Sequence, residues 1–539
     1  MFSPQWRQRA LEETREPFDL VVIGGGITGC GIFFDAAQRG LRVLLLERGD
    51  IASGTSSRSS KMIHGGLRYL KQMQFRVTRL ACRERDRYLA LNPGLVVPIP
   101  FIFPTRSGDE LAGWEVDLGL WMYDRLTRAS DRHRHLTPEE LAKLAPGLDL
   151  HNLDRAMAYH DAMTDDARLT LAVAASGAAY GGQLLTRVEV VGPRRDAEGR
   201  LTGLVARDLE GGGDLAIEAS LVVNACGVWV DELRALFGQE TRRLRPSRGT
   251  HLIFDRSRLP VTAALTLPSP DDARPVFVVP HPEGVLVGTT DLFHDGPLDD
   301  PRPTSPEVEY LLRTIGHHFP ENALSHDDVV GAFAGLRPIL DSHGDDPSDA
   351  SREEAIWMEE GLMTVAGGKL TTWRSTAEEA VDEALQAIPE NRAAIAAPCH
   401  TGGSPLAGLA PLALGRDLTE ARPELPSEVA EAWSRRLRAG SWAALDMSRA
   451  SSELHPLIDG SDISLAEIRA HLRYGAVLHL EDLLLRRVRV GMWNPALARK
   501  LAPLLPSLLE DELDWSSSRW DRELEGFHES VAAWSPLPA

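Results

Sequence analysis

Apolar positions near the start of the chain occur in short unbroken runs. Leu20–Ile23 is apolar at every position, which is typical of a strand buried on both faces of a parallel sheet. A glycine turn, a helical stretch and a second strand follow, and the second strand ends in the acid Glu47. This order of strand, turn, helix and strand predicts a βαβ unit over residues 18–47.

The turn after the first strand has glycines at the spacing of a dinucleotide-binding loop. Gly24 permits the tight turn, Gly26 lets a pyrophosphate approach the backbone, and Gly29 lets helix and strand pack closely. The helix N-terminus directs free N–H groups at the phosphates, and Glu47 can accept hydrogen bonds from both ribose hydroxyls. The alternative, a glycine-rich loop that merely links a strand to a helix, does not explain Glu47. The pattern therefore predicts dinucleotide binding.

Periodicity and capping signals predict further elements along the chain. We expect helices over residues 67–92, 137–144 and 166–180, and from Ser464 to about Arg489. We expect strands over residues 184–191, 201–208 and 221–224, and a hairpin joining residues 276–279 to 285–289. Residues 95–104 contain three prolines and are expected to be extended chain in a core.

The length of the chain indicates more than one domain. Its 539 residues exceed what a single hydrophobic core usually organises, so two or three domains are expected. Residues 386–422 are rich in Pro, Ala and Gly, which indicates a linker, and the pattern beyond them is helical.

Composition narrows the choice of partners and compartment. A net charge of −20 makes the chain a poor general binder of nucleic acid, so no nucleic-acid partner is expected. The four cysteines lie far apart without a C-x-x-C pair, which indicates reduced thiols in a cytosolic protein. The first 17 residues lack the apolar stretch of a signal peptide, and no apolar run of about 18 residues predicts a membrane-spanning helix. We expect a cytoplasmic protein.

A polar arm follows Glu47 where a plain NAD dehydrogenase would begin another βα unit. Its hydroxyl groups and backbone N–H groups suit a cofactor that lies extended through the domain, as FAD does. A flexible Ser/Gly-rich loop is the alternative. The candidate cofactor residues of this arm are Thr55, Ser56, Ser57, Ser60, Lys61, Gly65 and Gly66.

A second glycine cluster occurs at residues 367–372, after an apolar run and before a helix. It is not a P-loop, because Met363 replaces the first glycine and Leu370 replaces the Ser or Thr that would bind magnesium. We interpret it as a second glycine turn against the same cofactor, with Lys369 directed towards an anion. Its candidate cofactor residues are Gly367, Gly368, Leu370 and Thr371.

Basic side chains recur beside these turns, at Arg68, Arg337 and Lys369. Arginine binds phosphate through a bidentate fork and lysine binds it as a point charge. Taken singly, each could equally be a surface ion-pair partner. A further stripe over Arg76–Arg87 follows helical spacing, and we interpret it as a solvated face or, alternatively, a contact with an anionic membrane surface.

The remaining histidine pairs do not predict a metal site. The pairs His133/His135 and His317/His318 lack Cys or acid ligands at metal spacing. We therefore expect surface histidines there and no bound metal.

Taken in order, these blocks resemble the FAD-dependent glycerol-3-phosphate dehydrogenases, a group of flavoenzymes built like D-amino acid oxidase. The resemblance covers about residues 18–385, and residues 57–70 are its most specific part. Val228 departs from the proline usual in the family, and the segment around Arg352 matches loosely. The motifs that carry it are residues 24–29 with Glu47, 55–70, 165–169, 224–229, 288–291, 335–338 and 367–372.

The resemblance implies an α/β fold in which a Rossmann-like FAD-binding domain is interleaved with an antiparallel-sheet substrate domain and followed by a helical C-terminal domain. We expect the FAD-binding domain at residues 1–385, with cap segments at roughly 94–150 and 245–330. The linker spans residues 386–422 and the helical domain residues 423–539.

The resemblance also implies an activity: oxidation of sn-glycerol 3-phosphate to dihydroxyacetone phosphate, with FAD as cofactor and a membrane quinone as acceptor. His64 or His251 is the candidate base, and Arg337 is a candidate catalytic residue. Peripheral contact with the inner face of the cell membrane and a homodimer are further options. The phosphate-binding candidates are Arg68, Tyr69, Arg337, Arg352 and Lys369.

Three alternatives stay open. The first is a glycerophosphate oxidase that uses oxygen, although a long insertion common in those oxidases is not found here. The second is another flavin oxidoreductase of the same fold, acting on an amine or a hydroxy acid. The third is a flavin-bound protein with a structural or sensing role.

Overall fold

The apolar runs of the βαβ unit form the centre of a mixed sheet. The structure is a computed structural model that describes residue 2 and residues 5–67, 73–127, 132–341, 354–407 and 415–537. Phe18–Ile23 is buried at every position and pairs in parallel with strands on both sides. The sheet runs in the order Ala355–Glu359, Leu362–Ala366, Asp214–Asn224, Phe18–Ile23, Val43–Glu47 and Gln183–Thr186, and Val188–Arg195 and Leu201–Asp208 extend it beside Asp214–Asn224.

A second, largely antiparallel sheet adjoins the first. The interleaved segments expected at 94–150 and 245–330 supply most of it, and strands from residues 62–63, 153–164 and 329–337 complete it. Its order is Leu292–Phe293, Ser247–Phe254, Gly284–Gly288, Pro275–His281, Ala264–Pro268, Val96–Arg106, Leu153–Thr164 and Met62–Ile63; Val329–Arg337 pairs with Ser247–Phe254, and Arg134–His135 with Leu153–Thr164.

Three helices cover the first sheet through close contacts at glycine. A side chain at Gly31 would collide with Trp373, and one at Gly177 would collide with Phe33. Among the described residues before position 400, the α-helices include Trp6–Glu13, Ile27–Gln38, Phe75–Leu91, Gly113–Leu126, Pro138–Leu144, Asp166–Ala179, Val230–Leu236, Ser305–His318, Trp373–Ala387 and Glu390–Ala393. Of these, Ile27–Gln38, Asp166–Ala179 and Trp373–Ala387 contribute to the core under this sheet.

The C-terminal region is helical, as the sequence predicts. Its core includes Ile253, Leu286 and Phe333 of the second sheet, so the helices and the sheet share one hydrophobic cluster. The helices are Gly415–Ala421, Ser427–Arg436, Gly440–Met447, Leu465–Tyr474, the π-helix Asp482–Arg487, Val490–Trp493, Pro495–Leu501, Leu505–Leu508 and Ser517–Ala532.

The prediction of one helix from Ser464 to about Arg489 is wrong. Ser464 caps the helix as expected, but the helix ends at Tyr474, and Ala476 has φ of +52°, which a right-handed helix does not allow. The carbonyls of Gly475 and Ala476 accept hydrogen bonds from the Arg487 guanidinium instead. The break therefore depends on a side chain that returns from later in the chain.

Two other local predictions need correction. The strand expected at 184–191 is interrupted at Arg187, whose φ is +57° and whose guanidinium bonds Glu481 and Asp482 of the C-terminal region. His318 is buried, not on the surface; it bonds the Arg106 guanidinium and the Pro268 carbonyl oxygen. Within the described residues, no helix has both the length and the apolar character needed to cross a membrane.

Candidate functional site

In the first glycine turn, packing requires glycine at two positions but not at the third. Gly24 has φ of +112°, and a Cβ there would lie 2.6 Å from the Ala225 oxygen. A Cβ at Gly29 would overlap the carbonyl oxygen of Gly24. At Gly26 a Cβ would meet only the Ser56 hydroxyl oxygen, at 3.3 Å. The middle glycine is therefore not required by the protein's own packing.

The helix after this turn begins at a surface that a phosphate can approach. Gly26 is its N-cap residue, and the first N–H groups of a helix have no partner within the helix. The Ile27 N–H donates to the Ser56 hydroxyl oxygen at 2.8 Å, which ties the arm to the helix start. This arrangement favours an anion by both geometry and dipole.

Glu47 fixes the shape of the loop at the end of its strand. Its carboxylate accepts hydrogen bonds from the N–H groups of Gly25 and Gly49, each at 2.6 Å. Desolvation raises the pKa of this carboxyl, and the two N–H donors oppose that effect. The acid predicted to bind ribose hydroxyls therefore also holds the glycine turn.

The second glycine turn lies beside the first. Gly367 and Gly368 have φ of +76° and +85° and follow the strand Leu362–Ala366. A Cβ at Gly368 would lie 3.8 Å from the Thr28 hydroxyl oxygen, at the start of the first helix. The Thr371 hydroxyl bonds the backbone of His64. Residues more than 300 positions apart thus form one cradle.

The arm is anchored on both sides of this cradle. The Thr55 hydroxyl donates to the Leu336 carbonyl at 2.6 Å, and the Ser60 hydroxyl lies 2.8 Å from Nε2 of His251. The Gly65 N–H donates to the Tyr123 hydroxyl at 2.8 Å, which in turn bonds buried Asp161. No pattern in the sequence pointed to Tyr123 or Asp161.

Lys61 is bonded internally. Its ammonium donates to Asp166 at 2.7 Å and to the Ser57 carbonyl, and its backbone N–H and C=O bond Ser59 and Thr164. Burial lowers its pKa to about 8 against the opposing effect of Asp166. We therefore propose a structural role for Lys61 in place of the predicted cofactor contact.

His251 and Arg337 project from one face of the second sheet. Their strands pair antiparallel with Ser247 opposite Arg337 and His251 opposite Phe333, and directly paired residues point to the same side. Gly249 and Gly335 pair between these two positions, and both are closely packed: a Cβ at Gly249 would collide with the Arg337 guanidinium, and one at Gly335 with the backbone of Arg58. A base candidate and a cation thus share one surface.

The imidazole of His251 is kept neutral. The ring is 2% exposed and stacks on Phe333 at 4.9 Å. Burial lowers its pKa well below the ordinary value, and the charges of Arg337 and Lys61 add to this effect. Its Nδ1 has no hydrogen-bond partner within the described chain, so one ring nitrogen is left for a ligand.

The guanidinium of Arg337 is held in a fixed orientation. It donates to the Asp291 carboxylate at 2.9 Å, to the Ser247 hydroxyl at 3.2 Å and to the Thr289 hydroxyl at 3.1 Å. Asp291 belongs to a motif noted in the sequence, but its role beside Arg337 was not predicted.

The remaining candidate residues are located as follows. His64 lies half-buried in the arm, and Lys369 lies half-buried in the second glycine turn. Arg68, Tyr69 and Arg352 lie outside the described residues.

The cradle fits an extended dinucleotide such as FAD. Two glycine turns meet at an open helix start, and within the described chain the buried hydroxyls of Thr364 and Thr372, on either side of the second turn, have no partner. An adjoining sheet face carries a neutral imidazole and a fixed cation. Together they define a flavoprotein oxidoreductase.

The comparisons with known proteins agree. A family described as "FAD dependent oxidoreductase" matches residues 19–382, and "C-terminal domain of alpha-glycerophosphate oxidase" matches residues 399–520. "Glycerol-3-phosphate dehydrogenase 2" of Mycobacterium tuberculosis is 36% identical over 544 residues, covering 98% of this chain and 90% of its own. "Aerobic glycerol-3-phosphate dehydrogenase" of Staphylococcus aureus is 35% identical over 397 residues, covering 73% and 71%.

A solved structure supports the same assignment. The glycerol-3-phosphate dehydrogenase from Bacillus halodurans complexed with FAD superimposes with a TM-score of 0.79 at 28% identity, covering 100% of both chains. The chain therefore belongs to the FAD-dependent glycerol-3-phosphate dehydrogenase family. The predicted fold class and FAD as cofactor are confirmed. The domain boundaries and the individual site residues stay predictions.

Replacing Gly26 with valine should abolish FAD binding without unfolding the protein, because only a hydroxyl lies near the new side chain. The ratio of flavin to protein after purification measures this. Gly119→Val is the control, since nothing lies within 4 Å of a Cβ at Gly119. Full flavin content in Gly26→Val would contradict the proposed pyrophosphate contact.

Acid precipitation of the wild type should release the flavin, because we expect it to be non-covalent.

Proposed function

We propose that this protein oxidises sn-glycerol 3-phosphate to dihydroxyacetone phosphate and passes the electrons to a membrane quinone. Relatives named for glycerol-3-phosphate dehydrogenase support the substrate, one of them at 36% identity over 98% of the chain. The observation that carries the proposal is the shared sheet face on which neutral His251 and fixed Arg337 stand beside the cradle.

Oxidation of a secondary alcohol removes a hydride from carbon and a proton from the hydroxyl oxygen. Bound FAD supplies the hydride acceptor. The protein must supply a base near the hydroxyl. His251 is neutral and therefore able to accept a proton, and His64 is held by Thr371 at the other end of the arm. Both histidines are kept as candidates.

The phosphate of the substrate needs cations in fixed positions. Arg337 is oriented by Asp291, which reduces the side-chain entropy lost when an anion binds. Lys369 stands at the second turn, and Arg68, Tyr69 and Arg352 complete the proposed set. This assignment explains why a carboxylate lies beside a substrate-binding arginine.

A second candidate function is oxidation of the same substrate by oxygen. Residues 399–520 match the family described as "C-terminal domain of alpha-glycerophosphate oxidase". This match supports the oxidase as the second candidate. The two functions share the first half-reaction and differ only in the electron acceptor.

Anaerobic mixing with glycerol 3-phosphate should bleach the flavin absorbance, whereas glycerol should not. A quinone analogue should then restore the absorbance faster than air does, with little hydrogen peroxide formed. Failure to bleach would overturn the substrate assignment. Stoichiometric peroxide in air would instead establish the oxidase.

Arg337→Ala should lower kcat/KM for glycerol 3-phosphate roughly a hundredfold, because a charge-assisted contact to the phosphate dianion is lost. Arg274→Ala is a matched control, because Arg274 directly precedes the strand Pro275–His281 and donates to the backbone carbonyl of Asp291. The measurement compares glycerol 3-phosphate with glycerol as substrates. An unchanged preference in Arg337→Ala would refute the phosphate contact.

Replacing the true base by asparagine should slow flavin reduction about 10²–10⁴-fold with little change in substrate binding. Stopped-flow reduction of His64→Asn and His251→Asn separates the candidates. Because the pKa of His251 is lowered, activity that depends on it should not fall as pH drops through 6.5. Small, equal effects in both variants would move the role to another group.

We also propose that the protein contacts the membrane surface peripherally. Arg76, Arg79 and Arg83 are exposed on helix Phe75–Leu91, and the contacting helix Gly113–Leu126 exposes an apolar stripe. Trp114, Leu118 and Trp121 are 59%, 49% and 48% exposed at i, i+4 and i+7 spacing. A Trp-rich face beside arginines is typical of helices that lie in a membrane interface.

The paired substitution Arg79→Glu and Arg83→Glu should weaken binding to anionic vesicles, and added salt should weaken it in the wild type. Co-sedimentation with vesicles measures both. Arg200→Glu with Arg207→Glu makes the same charge change on the hairpin of residues 188–208 in the first sheet and should have little effect. No sedimentation of the wild type at low salt would exclude this contact.

A further inference from the structure

A cavity lies between the FAD-binding region and the C-terminal helices. Its volume is about 80 Å³, several times the roughly 10–15 Å³ that one ordered water needs. No residue of either glycine turn lines it. Helix Asp166–Ala179 forms one wall, and residues 435–438 with helix Leu465–Tyr474 form the other. Its basic lining residues are Arg168, Arg435, Arg436, Arg438, His471 and Arg487.

Two of these cations are already neutralised. Arg436 donates to both oxygens of buried Glu467, at 2.5 and 2.7 Å. Arg487 donates to both oxygens of buried Asp50, at 2.7 and 2.8 Å. Both guanidinium groups therefore already have a carboxylate counter-charge.

Of the other four, Arg168, Arg435 and Arg438 are guanidinium groups without a closely paired carboxylate, and His471 is an imidazole whose burial disfavours the charged form. Glu283 also acts electrostatically on Arg168. Arg168 has Asp165 as its nearest acid, at 3.9 Å, and Arg435 has Asp462 at 3.7 Å. Asp165 is itself engaged by Arg489, and Asp462 by Arg436. The buried Nε atoms of Arg168 and Arg435, and Nη2 of Arg168, have no partner in the described chain.

Arg438 and His471 are more deeply enclosed. Arg438 is 4% exposed, donates to the Pro93 carbonyl, and has no carboxylate at ion-pair distance among the described residues. Its Nε is without a partner there, as is Nε2 of His471, which is 8% exposed with Glu467 at 3.8 Å. Desolvation lowers the pKa of both side chains.

Guanidinium groups buried without a counter-charge are costly, and bidentate oxyanions satisfy them best. We infer that this cavity binds a phosphate-class oxyanion, which bridges Arg168 of the FAD-binding region to Arg435 and Arg438 of the C-terminal helices. Apolar neighbours such as Leu171 and Ala172 complete the lining, so the anion is either free phosphate or the phosphate of a small ester.

Calorimetric titration of the FAD-loaded protein with inorganic phosphate, at constant ionic strength set by chloride, tests this site. The titration is done in wild type and in Arg337→Gln, which removes the proposed substrate contact. One phosphate per chain should still bind in Arg337→Gln. Arg438→Gln or Arg435→Gln, added to that background, should weaken it at least tenfold. Arg435 is 35% exposed, so its variant should fold even if Arg438→Gln does not.

Arg416→Gln is the matched control, because Arg416 is 78% exposed in the same helical region. Tighter binding of phenyl phosphate than of phosphate would identify an ester as the ligand, and weaker binding would identify free phosphate. Absence of phosphate binding in Arg337→Gln, or binding there that Arg435→Gln and Arg438→Gln leave unchanged, would overturn the inference. Neither result depends on the substrate of the enzyme.

Discussion

The arm at residues 53–66 is fixed by one buried ion cluster, and the rest of the site depends on that arm. Asp166 accepts from the Lys61 ammonium at 2.7 Å and from Arg489 at 2.9 Å, and all three side chains are fully buried. Buried ion pairs contribute little net stability, yet removing one partner costs about 3–5 kcal/mol because the other charge is left unpaired. The cluster therefore selects one position for the arm, between the cradle and the second sheet.

This cluster and neighbouring ion pairs join the C-terminal helices to the FAD-binding region. Arg486, Arg487 and Arg489 come from one short stretch of that region and meet Asp50, Asp165 and Asp166 of the FAD-binding region. The hydrophobic contact is continuous as well, since Phe333 packs in the C-terminal core and stacks on His251. A displacement of these helices would therefore be transmitted through Phe333 to His251, one of the proposed bases.

The proposed chemistry uses groups whose charge is set before substrate arrives. Burial keeps His251 neutral, and Asp291 holds Arg337 in place. Both stand on paired strands of one sheet, where backbone hydrogen bonds fix their separation. Such preorganisation lowers the reorganisation needed at the moment of reaction.

The sequence by itself determined the βαβ unit, the two glycine turns, the capped helix Pro138–Leu144 and the fold class, because each depends on local spacing or on backbone conformations that few residues adopt. Only the tertiary structure revealed the partners of Lys61 and His318, the break at Tyr474 and the cavity between the FAD-binding region and the C-terminal helices. The residues brought together in these cases lie far apart in the chain: Lys61 bonds Asp166, and Arg168 lines the same cavity as Arg438. Local patterns carry no information about such partners, since burial and charge pairing depend on which distant segments the fold brings together.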